Sequence, residues 1–277
     1  MKVLSLFDGM SCARIALDRA AIPVTSYKAS ELDKYAIKVS HENYPDIEQL
    51  GDVCDVKAKD VGEVDLLIGG SPCQDLSFAG KGKGLKEGTR SSLFFEFVRL
   101  KNELNPKYFI LENVRMKQEN QDIISEYLGV KPKQFNSSLV SAQNRNRLFW
   151  TNIDFDLPDD KGIILADILE NGITDRQKSH CLDANYFKGG NLKSYFEKRR
   201  RQLIFKEFLK DDWPLLDHAK SKYLSHLSFR KLTPLECERL QTVPDNYTNH
   251  VSNTQRYKML GNGFTVDVVA HILKGLH

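Results

Sequence analysis

Cys73 stands in the run Ile68-Gly69-Gly70-Ser71-Pro72-Cys73-Gln74, between an apolar stretch from Val64 to Ile68 and a glycine- and lysine-rich loop from Phe78 to Gly88. A thiol attacks only as its thiolate, and a position just past a buried strand lets it meet a ligand instead of packing into the core. The same residues also describe a small buried hydrophobe beside a surface loop, because free cysteine packs well. Carboxylates and cations that could act with a thiolate are spread along the chain as Glu31, Asp52, Glu112, Arg145 and Arg147. Glu112 follows the apolar run Tyr108 to Leu111, and a carboxylate at the carboxyl end of a parallel strand shares a sheet rim with Cys73. Arg145 and Arg147 alternate with Asn146, so in a strand that begins there both guanidinium groups take one face. An arginine pair covering a sheet edge fits the same spacing.

The elements that must position these groups alternate between strand and helix. Val3 to Phe7 reads as a short buried strand, Asp8 to Cys12 as a turn, and Ala13 to Leu17 carries helical periodicity. Strand, glycine turn and helix together present backbone N–H groups and a helix N-terminus to a nucleotide-like ligand. Glu31 ends the next apolar segment, near the spacing of about 20 residues at which an acid accepts hydrogen bonds from ribose hydroxyls. Asp33 to Asn43 is expected to be a helix, and Gly51 to Val53 the end of a third strand, which makes Asp52 a second acceptor on that edge. Leu93, Phe94, Phe97, Leu100 and Leu104 recur at helical spacing and pack on the sheet. Thr233-Pro234-Leu235-Glu236 starts a helix with a capping box, and Gly261-Asn262-Gly263-Phe264 is expected to open a last amphipathic helix from Val266 to Leu273. The pattern predicts an α/β fold, a doubly wound and mostly parallel sheet with a small second lobe.

With 277 residues, 28% charged and 41% hydrophobic, the chain suits one large α/β domain with a small appendage. Its five cysteines form no C-x-x-C pair and have no histidine at zinc spacing, which speaks for a reducing compartment and against a metal site or disulfide frame. No apolar run approaches the roughly 18 residues of a membrane span, and a cytoplasmic protein is expected. A net charge of +3 demands no polyanion by itself, so a nucleic-acid surface must come from clustering. Beyond about Asn152 the periodicity weakens, and Lys188, Lys193, Lys198, Arg199, Arg200, Arg201 and Lys206 interleave with Tyr186, Phe187, Tyr195 and Phe196. That is the footprint of a nucleic-acid surface, though a solvated helix face gives the same residues.

Five motifs in fixed order then resemble the cytosine-5 DNA methyltransferases. They are Gly-Ser-Pro-Cys-Gln at 70–74, Glu-Asn-Val at 112–114, Gln-x-Arg-x-Arg at 143–147, Leu-Thr-Pro-x-Glu-x-x-Arg-Leu-Gln at 232–241 and Gly-Asn-Gly at 261–263. The runs from Leu93 to Phe97 and from Arg147 to Asn152 look most like compact bacterial and phage relatives of the animal de novo enzymes. One departure lies in the first motif, where the family often has Phe-x-Gly-x-Gly-Gly and Ser11 and Cys12 here replace the last two glycines.

The resemblance implies a class I S-adenosylmethionine-dependent, Rossmann-like catalytic domain over 1–152 and 229–277, with a small target-recognition lobe over 153–228. It implies a DNA (cytosine-5-)-methyltransferase that flips a cytosine from double-stranded DNA, adds the Cys73 thiolate to carbon 6 and methylates carbon 5, leaving S-adenosylhomocysteine. Glu112 would hold ring nitrogen 3 and the exocyclic amine, Arg145 the cytosine carbonyl oxygen, and Arg147 would support the active-site network. Phe7, Asp8, Gly9, Glu31, Leu32, Asp52, Val53, Pro72, Leu93, Asn262 and Gly263 fall to the cofactor. Gln74, Ser77, Lys81, Lys188, Arg199, Arg200 and Arg201 fall to DNA. No metal and no membrane takes part, and the setting is a bacterial or phage-encoded cytoplasmic enzyme of the nucleoid, with or without a restriction partner. Two other readings share parts of the pattern. A transfer-RNA-directed cytosine-5 methyltransferase shares Pro-Cys-Gln and Glu-Asn-Val, but its Cys-Phe-Thr signature is missing here; a silent DNA-binding paralogue typically loses Pro72, Cys73 or Glu112, all present here.

Overall fold

The computed structural model describes residues 1–72, 93–206 and 228–276. Cys73, Gln74, Ser77, Lys81 and the glycine loop lie outside the described residues. The chain divides into two compact units: Met1–Asn136, Asn146–Leu157 and Val268–His277 form the first, and Ser137–Arg145 with Pro158–Asp267 form the second.

The first unit is built on seven strands: β1 Lys2–Leu6, β2 Ser26–Ser30, β3 Glu48–Gln49, β4 Leu66–Gly69, β5 Tyr108–Val114, β6 Lys133–Asn136 and β7 Asn146–Thr151. Their order is β3-β2-β1-β4-β5-β7-β6. The pairings from β3 through β5 are parallel, and β7 runs antiparallel to both β5 and β6. The chain steps outward from β1 to β3 and returns on the other side of β1 at β4, which opens a topological switch point at the carboxyl ends of β1 and β4.

Connecting the strands are α1 Cys12–Arg19, α2 Lys34–Asn43, α3 Ala58–Val61, α4 Leu93–Leu104 and α5 Gln118–Leu128. Strands covered on both faces must be apolar throughout, and all four residues of β4 are buried. Helix α4 lays Phe94, Phe97 and Leu100 into a core shared with Leu4, Leu6, Leu67, Leu111 and Trp150. At the end of β4 a side chain is excluded, since a Cβ on Gly69 would come within 2.9 Å of the Leu6 carbonyl oxygen. Asp33 caps α2, its side chain accepting from the Tyr35 amide at 3.0 Å.

Two strand boundaries place functional residues, and the second differs from expectation. β5 continues through Glu112 to Val114, because β7 pairs along it with Glu112 opposite Phe149 and Val114 opposite Arg147. Glu112 therefore sits in the carboxyl-terminal part of the strand, where it was expected. β7 begins at Asn146, so Arg145 precedes the strand and does not share its face with Arg147.

In the second unit the antiparallel pair β8 Leu203–Phe205 and β9 Phe229–Lys231 lies among α6 Leu165–Ile168, α7 Leu192–Phe196, α8 Pro234–Leu240 and α9 Asn253–Asn262. Tyr195, Leu203 and Phe205 form a small core there. The capping box of α8 is present, with Thr233 Oγ1 accepting from the Glu236 amide at 3.1 Å and Glu236 accepting from the Thr233 amide at 2.8 Å. The division departs from the expected boundaries after Asn152 and at Phe229. Residues 229–267 pack within the second unit, and only the final helix, Val266–Leu273, passes into the first. Hydrogen bonds account for this: Tyr257 donates to the Leu232 carbonyl at 2.7 Å, and Ser141 donates to the Leu240 carbonyl at 2.5 Å. Gly261 and Asn262 end α9 and do not open the final helix. A Cβ on Gly261 would lie 2.3 Å from the Asp183 carbonyl carbon, so close backbone packing requires the glycine.

Candidate active site

At the switch point the chain leaves β1 through a turn in which Phe7, Gly9 and Ser11 all have positive φ, at 57°, 61° and 63°. This conformation aims the Gly9 amide at Glu31, donating to Oε2 at 2.8 Å. The other carboxylate oxygen of Glu31 accepts from the amides of Leu32 at 2.7 Å and Asp33 at 2.8 Å. A carboxylate has about four acceptor sites, so one held by three backbone N–H groups keeps capacity for a ligand hydroxyl. Beside it Leu32 is 67% exposed, an apolar side chain left open to solvent. Phe7 and Leu93 are both half-buried against the same core.

Asp52 and Val53 follow β3. The Asp52 side chain accepts from the Cys54 amide at 3.0 Å, while the Val53 side chain is buried in the core. Asp8, expected among the cofactor ligands, turns its carboxylate inward and is only 6% exposed. It accepts from the Tyr27 hydroxyl at 2.7 Å and the Ser11 hydroxyl at 2.5 Å. Burial pushes this carboxyl above its usual range, against the lowering effect of those hydroxyls.

On the antiparallel side Arg147 Nε lies 2.8 Å from Glu112 Oε1, with the two side chains 16% and 13% exposed. The register explains the pair: Glu112 faces Phe149, so Arg147 is its diagonal neighbour two residues along β7 on the same face. Arg147 also donates to the Asn146 carbonyl at 2.8 Å. Asn113 takes the opposite face of β5, is buried, and donates to the Ser71 hydroxyl at 3.1 Å. It thereby fastens β5 to the segment that leads through Pro72 to Cys73. Asn113 was not among the expected site residues, although its place between Glu112 and Val114 in the Glu-Asn-Val motif was the signal.

Several expected residues belong to the second unit instead. Arg145 is 2% exposed, and its guanidinium donates to the carbonyls of Leu182 at 2.9 Å, Gly261 at 3.2 Å and Gly263 at 2.9 Å. This group ties the segments of its own unit together. Asn262 is exposed at the end of α9, and the Gly263 carbonyl also accepts from Gln241 at 3.2 Å. The arginines 199–201 lie in a turn after α7 and not on a helix, with Arg199 and Arg201 at positive φ. Lys188 and Arg199 are exposed, Arg200 lies 3.8 Å from Asp183, and Arg201 is half-buried with a hydrogen bond to the Gly189 carbonyl at 2.9 Å.

A polar cluster in this unit carried no signal in the sequence. Arg176 donates to Tyr195 at 2.8 Å and to Asp175 at 2.7 Å, and contacts His180 Nε2 at 2.6 Å. Gln202 donates to Tyr195 at 2.7 Å. Burial, followed by the Arg176 charge, pushes His180 down to about 4, so the imidazole is neutral near pH 7. Among the described residues no group of three or more potential metal ligands is assembled, and no helix is long and apolar enough to cross a membrane.

Comparison with known proteins adds four findings. The family model for C-5 cytosine-specific DNA methylase matches residues 1–277. The type II methyltransferase M1.ScrFI of Lactococcus lactis subsp. cremoris is 30% identical over 97% of this chain and 76% of its own length. The type II methyltransferase M.NlaX of Neisseria lactamica is 27% identical over 98% of this chain and 94% of its own. Among solved structures, the Entamoeba histolytica methyltransferase EhMeth superposes with a TM-score of 0.77 at 16% identity, covering 100% of this chain and 97% of that one.

Proposed function

The chain belongs to the C-5 cytosine-specific DNA methylase family, and we propose that it methylates carbon 5 of a cytosine swung out of duplex DNA, with Cys73 as the nucleophile. The observation that carries this reading is the Glu112–Arg147 pair on β5 and β7, together with Asn113 fastened to Ser71 two residues before Cys73.

Carbon 5 of cytosine is a poor nucleophile and has to be activated. The Cys73 thiolate adds to carbon 6, and negative charge moves toward ring nitrogen 3. Glu112 enters this step as the carboxylic acid, gives its proton to nitrogen 3 and accepts from the exocyclic amine, and Arg147 on the next strand pairs with the carboxylate left behind. The 2.8 Å approach of Arg147 Nε to Glu112 Oε1 supports this role for Arg147. Loss of the carbon 5 proton and departure of the thiolate restore the aromatic ring. A stacked base is out of reach of these groups, so the target must leave the helix at a cost of a few kcal/mol. Gln74, Ser77 and Lys81 are assigned to DNA near the extruded base, and the exposed Lys188 and Arg199 to its phosphates, with Arg200 partly and Arg201 largely engaged within their own unit.

The class I fold and the family imply S-adenosylmethionine, which supplies the methyl group when bound, and the residues at the switch point fit it. Glu31 would accept from the ribose hydroxyls, and Leu32, Phe7 and Leu93 offer apolar surface for the adenine. Asp52 would take the adenine amine, and the Gly9 turn would hold the methionine part.

Incubating the protein with duplex DNA containing 5-fluorocytosine and S-adenosylmethionine tests the reading. A covalent protein–DNA adduct is expected, lost in Cys73→Ala. Wild-type protein that yields neither adduct nor methylated duplex overturns it, and methylation of transfer RNA in place of duplex DNA overturns the substrate class.

A further inference from the structure

The turn after β1 holds two non-glycine residues, Phe7 and Ser11, in the left-handed region, where a Cβ crowds the following carbonyl. Something must offset that strain. Ser11 directly precedes α1, where a serine hydroxyl ordinarily caps the helix, yet its side chain makes no cap hydrogen bond. The hydroxyl turns instead to Asp8 Oδ2 at 2.5 Å and lies 2.6 Å from the hydroxyl of Ser40 on α2. The other oxygen of Asp8 accepts from Tyr27 on β2 at 2.7 Å, and its amide donates to the Ser30 carbonyl at 3.2 Å. One buried carboxylate thus joins the turn to β2 directly and, through Ser11, to α2. The Gly9 amide held between Asp8 and Ser11 is the one that reaches Glu31.

We propose that Asp8 is a positioning residue for the cofactor: its carboxylate braces Ser11 and Tyr27 so that a turn lacking the later glycines keeps the shape that fixes Glu31. The proposal rests on the reading of this edge as the S-adenosylmethionine site. A carboxylate is an effective brace because hydrogen bonds to an ionised acceptor are the stronger kind, and it accepts here from hydroxyls on the turn and on β2. Glycine at position 11 would adopt φ near 63° without strain, and the brace would then lose its purpose.

Calorimetric titration with S-adenosylhomocysteine, with thermal melts of the unliganded proteins alongside, tests this. Asp8→Ala is expected to weaken binding about tenfold, the scale of hydrogen bonds to a charged group. Asp8→Asn, whose amide can accept from Tyr27 and donate to Ser11, should recover most of the affinity. In a Ser11→Gly background, Asp8→Ala should cost no more than about threefold, a coupling that a general scaffold role would not produce. Equal losses in both backgrounds overturn the proposal, as does a lowered melting temperature with unchanged affinity. Should Asp8→Ala fail to fold, Tyr27→Phe decides: a loss of a few-fold supports the brace, and unchanged affinity overturns it. Wild-type protein that binds no S-adenosylhomocysteine overturns the cofactor reading itself, an outcome distinct from any difference among variants.

Discussion

Glu31 and Glu112 are both carboxylates near the carboxyl edge of one sheet, but they are held in unlike ways. Glu31 follows a parallel strand and is fixed by backbone amides of Gly9, Leu32 and Asp33. Glu112 lies within a strand and is fixed by a guanidinium from the antiparallel neighbour. The parallel half of the sheet therefore builds its site from chain conformation, which depends on φ angles and turn residues. The antiparallel half builds from a side-chain pair, which depends on register. A substitution can delete the partner of Glu112 outright, whereas the partners of Glu31 can only be displaced by altering the turn.

The largest effect should follow Arg147→Ala. It removes the cation at 2.8 Å from Glu112 while leaving the turn after β1 untouched. Methyl transfer in a single turnover should fall about 10²- to 10³-fold, the range for a positioned acid–base group, with S-adenosylhomocysteine affinity retained. Affinity that falls in step with the rate would break the separation between the two halves.

Arg145→Ala sharpens the comparison, because this arginine is separated from Arg147 by a single residue and its guanidinium donates to carbonyls of Leu182, Gly261 and Gly263. Its removal takes a donor from the buried carbonyls of Leu182 and Gly261 in the second unit, while the Gly263 carbonyl keeps Gln241. A stability loss of about 3 kcal/mol is expected, since each unsatisfied buried group costs about 1 to 3 kcal/mol. Denaturant unfolding reads it directly. A variant as stable as wild type but devoid of activity would return Arg145 to the chemistry.

A smaller effect is expected from Gly9→Ala. The added Cβ meets nothing within 4 Å, so the cost is that of the backbone alone at φ +61°. A left-handed alanine costs about 1 to 2 kcal/mol, which corresponds to roughly five- to thirtyfold weaker cofactor binding if the turn moves to relieve it. Binding unchanged by this substitution would mean that the Glu31 side does not depend on the turn.

The two halves were also unequally legible in the sequence. Gly9 and the interval to Glu31 disclose the parallel half, because a glycine in a strand-to-helix turn and an acid after the next strand are local signals. The motif residues Glu112 and Arg147 were visible as types, but their pairing depends on where β7 begins. That boundary is set by the ladder to β5 and β6 and not by local composition, so Arg145 and Arg147 could not be told apart. Asp8 misled for a related reason: an acid beside a glycine turn looks like a ligand, and only packing against Tyr27 and Ser11 shows it facing inward. Gly261 belongs to the same class, its purpose being the close backbone of Asp183, far away in sequence. The stretch 229–267 carries motifs associated with the catalytic part yet folds with the second unit, since motif order records chemistry and not packing.

The smallest effect concerns the charge beneath the turn. Burial raises the Asp8 carboxyl, so the folded protein holds this proton to higher pH than the unfolded chain does. The associated stability is fully present below the ordinary carboxylate range and is lost as pH rises through the raised folded value. Asparagine at position 8 keeps the size and the hydrogen-bonding capacity but never ionises. The melting temperature of Asp8→Asn relative to wild type should therefore rise as pH climbs from the ordinary carboxylate range toward the raised folded value, by a few degrees at most, because the Ser11 and Tyr27 hydroxyls already compensate part of the charge. A difference that stays flat as pH rises would show that Asp8 ionises as readily in the folded protein as in the unfolded chain. The turn would then be held by a charged carboxylate, and the contrast with Glu112, paired with Arg147, would narrow.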